Sequence, residues 1–160
     1  MAHRSLTALV WLLLVTLLFG SVTHGTAQDV SELAVIVHPS KLKSVGSLSA
    51  GDLQAIFTRK KHFWSDGSKI TPINLAKGSP ARNIFDLVVL GFDADTAARF
   101  WIDQGVRGGA RAPAEVAAPE LAVRTLQVMK DAISYVPASL AGPSVAVVAR
   151  IRGGKVVLGR

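Results

Sequence analysis

The alternation of apolar and polar positions predicts a run of short strands and helices from Glu32 onward. Glu32-Leu33-Ala34-Val35-Ile36-Val37 is β-branched and unbroken and ends at His38-Pro39. Such a run reads as a buried strand, with a parallel sheet as the expected setting. Ser49-Ala50-Gly51-Asp52 has the spacing of a capping box, and Leu53, Ile56 and Phe57 then fall on one helical face. After the turn Ser65-Asp66-Gly67-Ser68, the apolar run from Ile70 to Leu75 reads as a second strand. Ala81, Ile84, Phe85, Val88 and Val89 form the stripe of a helix from Pro80 to about Leu90, stopped by Gly91.

Asp93 or Asp95 caps a further helix carrying Ala97, Ala98, Phe100 and Trp101. Gly105 to Pro119 has no clear period and reads as a mobile loop with a short strand near Val116. Pro119-Glu120 opens a helix expected to turn Leu121, Val123, Leu126 and Met129 inward. Ala132 to Val136 reads as a strand, and Val145–Ile151 with Lys155–Leu158 as a hairpin across Gly153-Gly154. Strands alternate with helices, so the expected class is α/β with a mostly parallel sheet flanked by helices.

The first 27 residues change how the composition is read. A basic start at Arg4, an apolar core from Leu6 to Phe19 and the small-residue end Gly25-Thr26-Ala27 together form a secretory signal peptide cut near Ala27. The apolar core is short for a membrane span. Removing residues 1–27 of 160 leaves 133, one domain's worth, with the formal charge reduced from +7 to +6 by loss of Arg4. The expected location is periplasmic or secreted. There is no cysteine, hence neither a disulfide nor a thiol nucleophile. A basic domain favours anionic partners without choosing among them.

Lys77-Gly78-Ser79-Pro80-Ala81-Arg82 is the stretch in which chemistry concentrates. Ser79 before Pro80 predicts a helix start in which the serine hydroxyl accepts from a first-turn N–H. Gly78 leaves the backbone bare, and Lys77 and Arg82 flank the positive end of the helix dipole with two charges, which is how an anion site is built. The plainer reading is a capped helix after a strand. His38 and His62 lack ligand spacing, Ser79 has no base near it in sequence, and Asp93 and Asp95 read as caps, so enzymatic chemistry is disfavoured. The basic–aromatic run Arg59 to Trp64 has the residue types that bind single-stranded nucleic acid. In an exported protein it reads instead as a solvated turn with Phe63 and Trp64 at the core edge, so no nucleic-acid partner is expected.

The motifs occur in a recognisable order. Val35-Ile36-Val37 is followed by Leu48-Ser49-x-x-Asp52-Leu53-x-x-Ile56-Phe57, Trp64-x-Asp66-Gly67, Gly78-Ser79 before Phe85, and Ile133-Ser134-Tyr135-Val136. This order resembles the PstS-like substrate-binding proteins of phosphate ABC transporters, of the type 2 periplasmic binding protein class. The resemblance runs from about Glu32 to Gly154 and covers mainly one of the family's two lobes. It implies a single three-layer lobe at residues 28–160 that binds phosphate or a related oxyanion without covalent chemistry or cofactor. The ligand residues would be Gly78, Ser79, Arg82 and Lys77. An ABC transporter permease and a second copy of the chain are the implied protein partners. The family's phosphate loop reads Arg-x-Asp-Gly-Ser-Gly-Thr. Here Leu75, Lys77, Pro80 and Ala81 stand at its arginine, aspartate, second glycine and threonine positions, and Lys77 cannot accept a proton from hydrogen phosphate. Ser134 likewise stands where the family usually has glycine. The alternative reading is a single-lobe envelope interaction module that has lost ligand binding.

Overall fold

The structure is a computed structural model that describes residues 31–158; the leader expected at residues 1–27 lies outside the described residues. Its strands are β1 (Glu32–Val37), β2 (Thr71–Leu75), β3 (Ala114–Val116), β4 (Ala132–Pro137), β5 (Ala146–Arg152) and β6 (Lys155–Leu158). Its α-helices are α1 (Leu42–Val45), α2 (Ala50–Phe57), α3 (Pro80–Phe85), α4 (Ala94–Val106) and α5 (Pro119–Val128). A π-helical segment, Asp86–Leu90, continues α3 to Gly91, whose left-handed φ of 71° ends the helix where a side chain would be strained.

One sheet of six strands organises the core, in the order β3-β2-β4-β1-β5-β6. β2 runs parallel to β3 and to β4. β1 is antiparallel to both of its neighbours, β4 and β5, and β6 is antiparallel to β5. The sheet is therefore mixed, which corrects the expected parallel majority and the expected parallel β1. An unbroken apolar run reports burial on both faces, and a central antiparallel strand meets that condition equally well. Leu33 through Val37 are all fully buried. The α/β lobe itself is as expected.

Connections from β2 to β3 and from β3 back to β4 travel in opposite directions along the sheet. Right-handed crossovers then place α3–α4 and α5 on opposite faces, giving three layers. Phe57 of α2, Phe85 of α3 and Tyr135 of β4 join one helical layer to the sheet. Phe85 and Tyr135 stack at 3.8 Å with 3° between their planes, and Phe57 meets Phe85 edge-on at 4.6 Å. On the other layer Ala122 and Leu126 of α5 are buried. Leu121 and Met129, expected inward, are 41% and 42% exposed. Leu121 lies about 100° around the helix from Ala122. Met129 follows the last helical residue, where the chain has left the helical track.

The Trp64-Ser65-Asp66-Gly67 turn is held by bonds to its side chains. Trp64 is buried and its Nε1–H donates to the Asp131 carbonyl at 3.3 Å. Lys41 Nζ donates to Asp66 at 2.8 Å and to Ser68 Oγ at 2.7 Å. Donation from Lys41, and then from the Ser68 hydroxyl and N–H, holds the Asp66 carboxyl well below the usual carboxylate range. Ser134, at the family's glycine position, is fully buried and its hydroxyl donates to the Ile73 carbonyl at 2.9 Å, tying β4 to β2.

Candidate functional site

In an open α/β sheet the crevice outside the carboxyl ends of parallel strands, where crossovers diverge, is the usual ligand position. Here that point lies past the ends of β2 and β4, since β2 leads away to β3 and β4 leads the other way to β5. The carboxyl end of β2 runs into Ala76–Ser79. The Ser79 N–H donates to the Ala76 carbonyl at 3.2 Å, closing a turn with Gly78 at φ 77°. A Cβ at Gly78 would meet nothing within 4 Å, so the backbone angle and not crowding requires glycine there. Pro80 then opens α3 with no donor of its own.

Ser79 does not act as expected. It occupies the N-cap position, yet its side chain makes no capping bond, and its buried hydroxyl has no partner. The cap pattern of serine followed by proline predicts the helix start correctly and the bond wrongly. The Asn83 N–H reaches the Ser79 carbonyl at 3.0 Å, which leaves the first-turn N–H groups of Ala81 and Arg82 without intrahelical partners.

Arg82 is not a free cation at the surface. It is 3% exposed; Nε donates to Asp86 at 2.6 Å, and NH1 donates to the Leu75 carbonyl at 3.0 Å. Glu115 of β3 lies 3.5 Å from the same NH1. Arg82 thus ties the end of β2 to one turn of α3, and most of its charge is met within the protein. Burial pushes the Asp86 carboxyl up from its ordinary range, against the pull of Arg82. Lys77 stays exposed at the turn.

A cavity of about 340 Å³ opens between α3, α4 and β3, and Lys77, Gly78 and Arg82 all line it. Ser79 does not. The structure therefore brings three of the four residues expected at the site around one space and turns the fourth into the protein. Asp86, Trp101 and Glu115 also line that cavity. Asp86 was legible, being one helical turn after Arg82 with the opposite charge. Glu115 is far away in sequence and carried no local signal.

No protein-family model and no curated protein matches the chain. Solved structures do. A protein from Clostridium perfringens, assigned to the phosphate ABC transporter substrate-binding proteins and solved with bound phosphate, superposes with a TM-score of 0.56 at 20% identity over 74% of this chain. An ABC-type phosphate transport receptor from Vibrio cholerae gives 0.57 at 15% identity, also over 74%. The matches cover 45% and 46% of those two chains, so this chain spans less than half their length. The likeness is one of fold: the chain has the α/β architecture of a single lobe of these phosphate-binding transport proteins.

Proposed function

We propose that this chain is an exported single-lobe binding protein for phosphate or a related oxyanion, held without covalent chemistry. The observation that carries the reading is the uncapped first turn of α3. Its free N–H groups stand at the carboxyl end of a parallel strand, beside the sheet's switch point, in a lobe that resembles a solved neighbour holding phosphate. The N–H groups of Ala81 and Arg82 would supply directional bonds, Gly78 would allow close approach, and Lys77 would add a point charge at the mouth. Ser79 Oγ would join after a small rotation from its unpartnered position. Arg82 would contribute chiefly by fixing the turn through Leu75 and Asp86.

An anion held by one lobe stays open to solvent, so its affinity falls as salt rises. A transporter permease or a second copy of the chain would supply the missing cover. Calorimetry with phosphate and with sulfate, at low and high salt, tests the reading on wild type and Lys77→Gln. The expected result is salt-sensitive binding that is weaker in Lys77→Gln; no heat with either anion would end the proposal. The leader is proposed to leave at Ala27, and the intact mass of protein from the envelope checks that cut.

The second reading is the interaction module, favoured by apolar side chains left in solvent along α5. Val128 is 83% exposed, with Leu121 and Met129 near it. A stable homodimer or partner complex, measured by light scattering and lost in Val128→Glu, would support it.

A further inference from the structure

Helix α4 is lightly held by the rest of the lobe. Of its residues Ala94–Val106, only Ala97 is buried. Phe100 and Trp101 are half-buried, and Phe100 meets Phe92 at 5.1 Å and Trp101 at 4.9 Å. A helix of this length is marginal in water unless it packs on something. Yet the outward face of α4 is not wholly polar. Ala98, Ile102 and Val106 are exposed at successive four-residue steps, which sets them in one row. Ile102 is 66% exposed and Val106 82%.

Next to that row runs a second one made only of charges: Asp95, Arg99, Asp103 and, just past the helix end, Arg107. Their signs alternate. Arg107 Nε donates to Asp103 at 2.9 Å, but both side chains are largely in solvent, where such a pair is worth little. Neither Asp95 nor Arg99 is in an ion pair among the described residues. An apolar row flanked by alternating charges is the pattern of a helix that packs on another helix, with the charges setting the partner's direction. Here the order is complementary to itself. Arg99 and Asp103 lie two residues either side of Trp101, and Asp95 and Arg107 lie six either side. Turned end for end about Trp101, the row meets every charge with its opposite. A parallel copy in register meets every charge with its like. The same axis also meshes the apolar rows. Ala98 and Ile102 each fall midway between two side chains of the facing row, about 3 Å along the axis from either. That is the interlocking of ridge into groove.

We propose that the outward face of α4 docks a second copy of this chain, antiparallel on its own α4 about a twofold axis at Trp101. Ala98, Ile102 and Val106 interlock with the same row of the other copy. Arg99 lies against the partner's Asp103, and Asp95 and the partner's Arg107 complete the charged row further out. The twofold axis makes each contact twice. Ala98 and Ile102 also line the cavity, so the second copy stands over that side of it. One helix pair is small for an interface, and the dimer is transient, with a Kd on the order of 100 μM. The pairing does not rest on the oxyanion reading, since neither Lys77, Gly78 nor the first-turn N–H groups take part.

Sedimentation equilibrium of the protein purified from the envelope, at concentrations up to about 1 mM, tests the pairing. The expected result is a monomer–dimer equilibrium. Ile102 is exposed, so Ile102→Glu should leave the lobe folded and raise the dimer Kd at least about ten-fold. Arg99→Glu should raise it about as much, because it sets two like charges against each other twice. Adding Asp103→Arg to Arg99→Glu restores opposite signs across the axis and should bring the Kd back toward wild type. Val128→Glu, on α5, should leave the Kd unchanged. A protein that stays monomeric throughout, a dimer indifferent to Ile102→Glu, a double variant no better than Arg99→Glu, or a dimer lost only in Val128→Glu would each overturn the proposal. Phosphate calorimetry on the same variants reports the oxyanion reading separately, so failure of one leaves the other standing.

Discussion

Two helices of this protein start with the same residue and end up with opposite accounts. At α2, Ser49 is followed three positions later by Asp52; at α3, Ser79 is followed three positions later by Arg82. The Asp52 N–H donates to Ser49 Oγ at 3.1 Å, and the Asp52 carboxylate accepts from the Ser49 N–H at 3.1 Å and from its hydroxyl at 2.6 Å. The box is closed and every group in it has a partner. At α3 an arginine cannot accept those bonds, and it turns away toward Asp86 and Leu75. The serine is left buried and unpartnered, and the first-turn N–H groups stay open. One acidic residue at the third position therefore separates a helix start that is finished from one that has bonds to give.

The sharpest way to break this contrast is through Arg82. Arg82→Gln leaves Asp86 buried without its cation, and losing one member of a buried pair costs about 3–5 kcal/mol. Urea denaturation should show a loss of that order, about as large as for Phe85→Ala, which empties the stack against Tyr135. A stability unchanged within about 0.5 kcal/mol would mean that the pair contributes no more than a surface contact.

The serines come next. Ser49→Ala should cost about 1 kcal/mol by the same measurement. Ser79→Ala should cost nothing or gain slightly, because it removes a buried hydroxyl that has no partner. Equal losses at the two positions would erase the distinction between the two starts.

The smallest effect is the response to acid. Bonds from Ser49 and then Lys61 hold the Asp52 carboxyl down to about 2. A carboxylate whose folded value is lowered stabilises the fold above its unfolded value, near 3.8, and that contribution is lost as pH falls toward 2. Asp86 runs the other way: its raised value favours the fold at low pH, and that contribution is lost as pH rises through the folded value. Asp52→Asn should therefore flatten the fall in urea midpoint between pH 4 and 2. The side chain is 35% exposed, so the difference should stay within about 1 kcal/mol. An unchanged acid limb would take Asp52 out of the titration.

Most of the element order was readable because most elements are announced locally; α1 and the π-helical turn carried no such signal. The Ser49 box, the stop at Gly91 and the hairpin at Gly153-Gly154, whose φ angles are 56° and 70°, are all set by residues within one turn of each other. Strand direction was not readable, because Leu33 to Val37 meet the same burial whichever way their neighbours run. At the candidate site, Lys77 and Gly78 form the turn after β2 that the sequence predicts, and the structure adds that they line the cavity. The Ser79 cap bond and an outward-facing Arg82 charge were misjudged for one reason: each was read as a local signal at a helix start. What decides the place of Arg82 is a turn of π-helix bearing Asp86 and a short strand bearing Glu115.

The position of β1 sets the order in which the chain can fold. Among the described strands it is made first and it lies between β4 and β5, so both of its ladders wait for residues 132–152. Pairings of such wide separation close slowly, because most of the chain must be ordered before they form. Emerging from the ribosome, this polypeptide cannot assemble its central ladder until residues 132–152 have been synthesised. The apolar run from Leu33 to Val37 meanwhile remains unpaired and open to a chaperone.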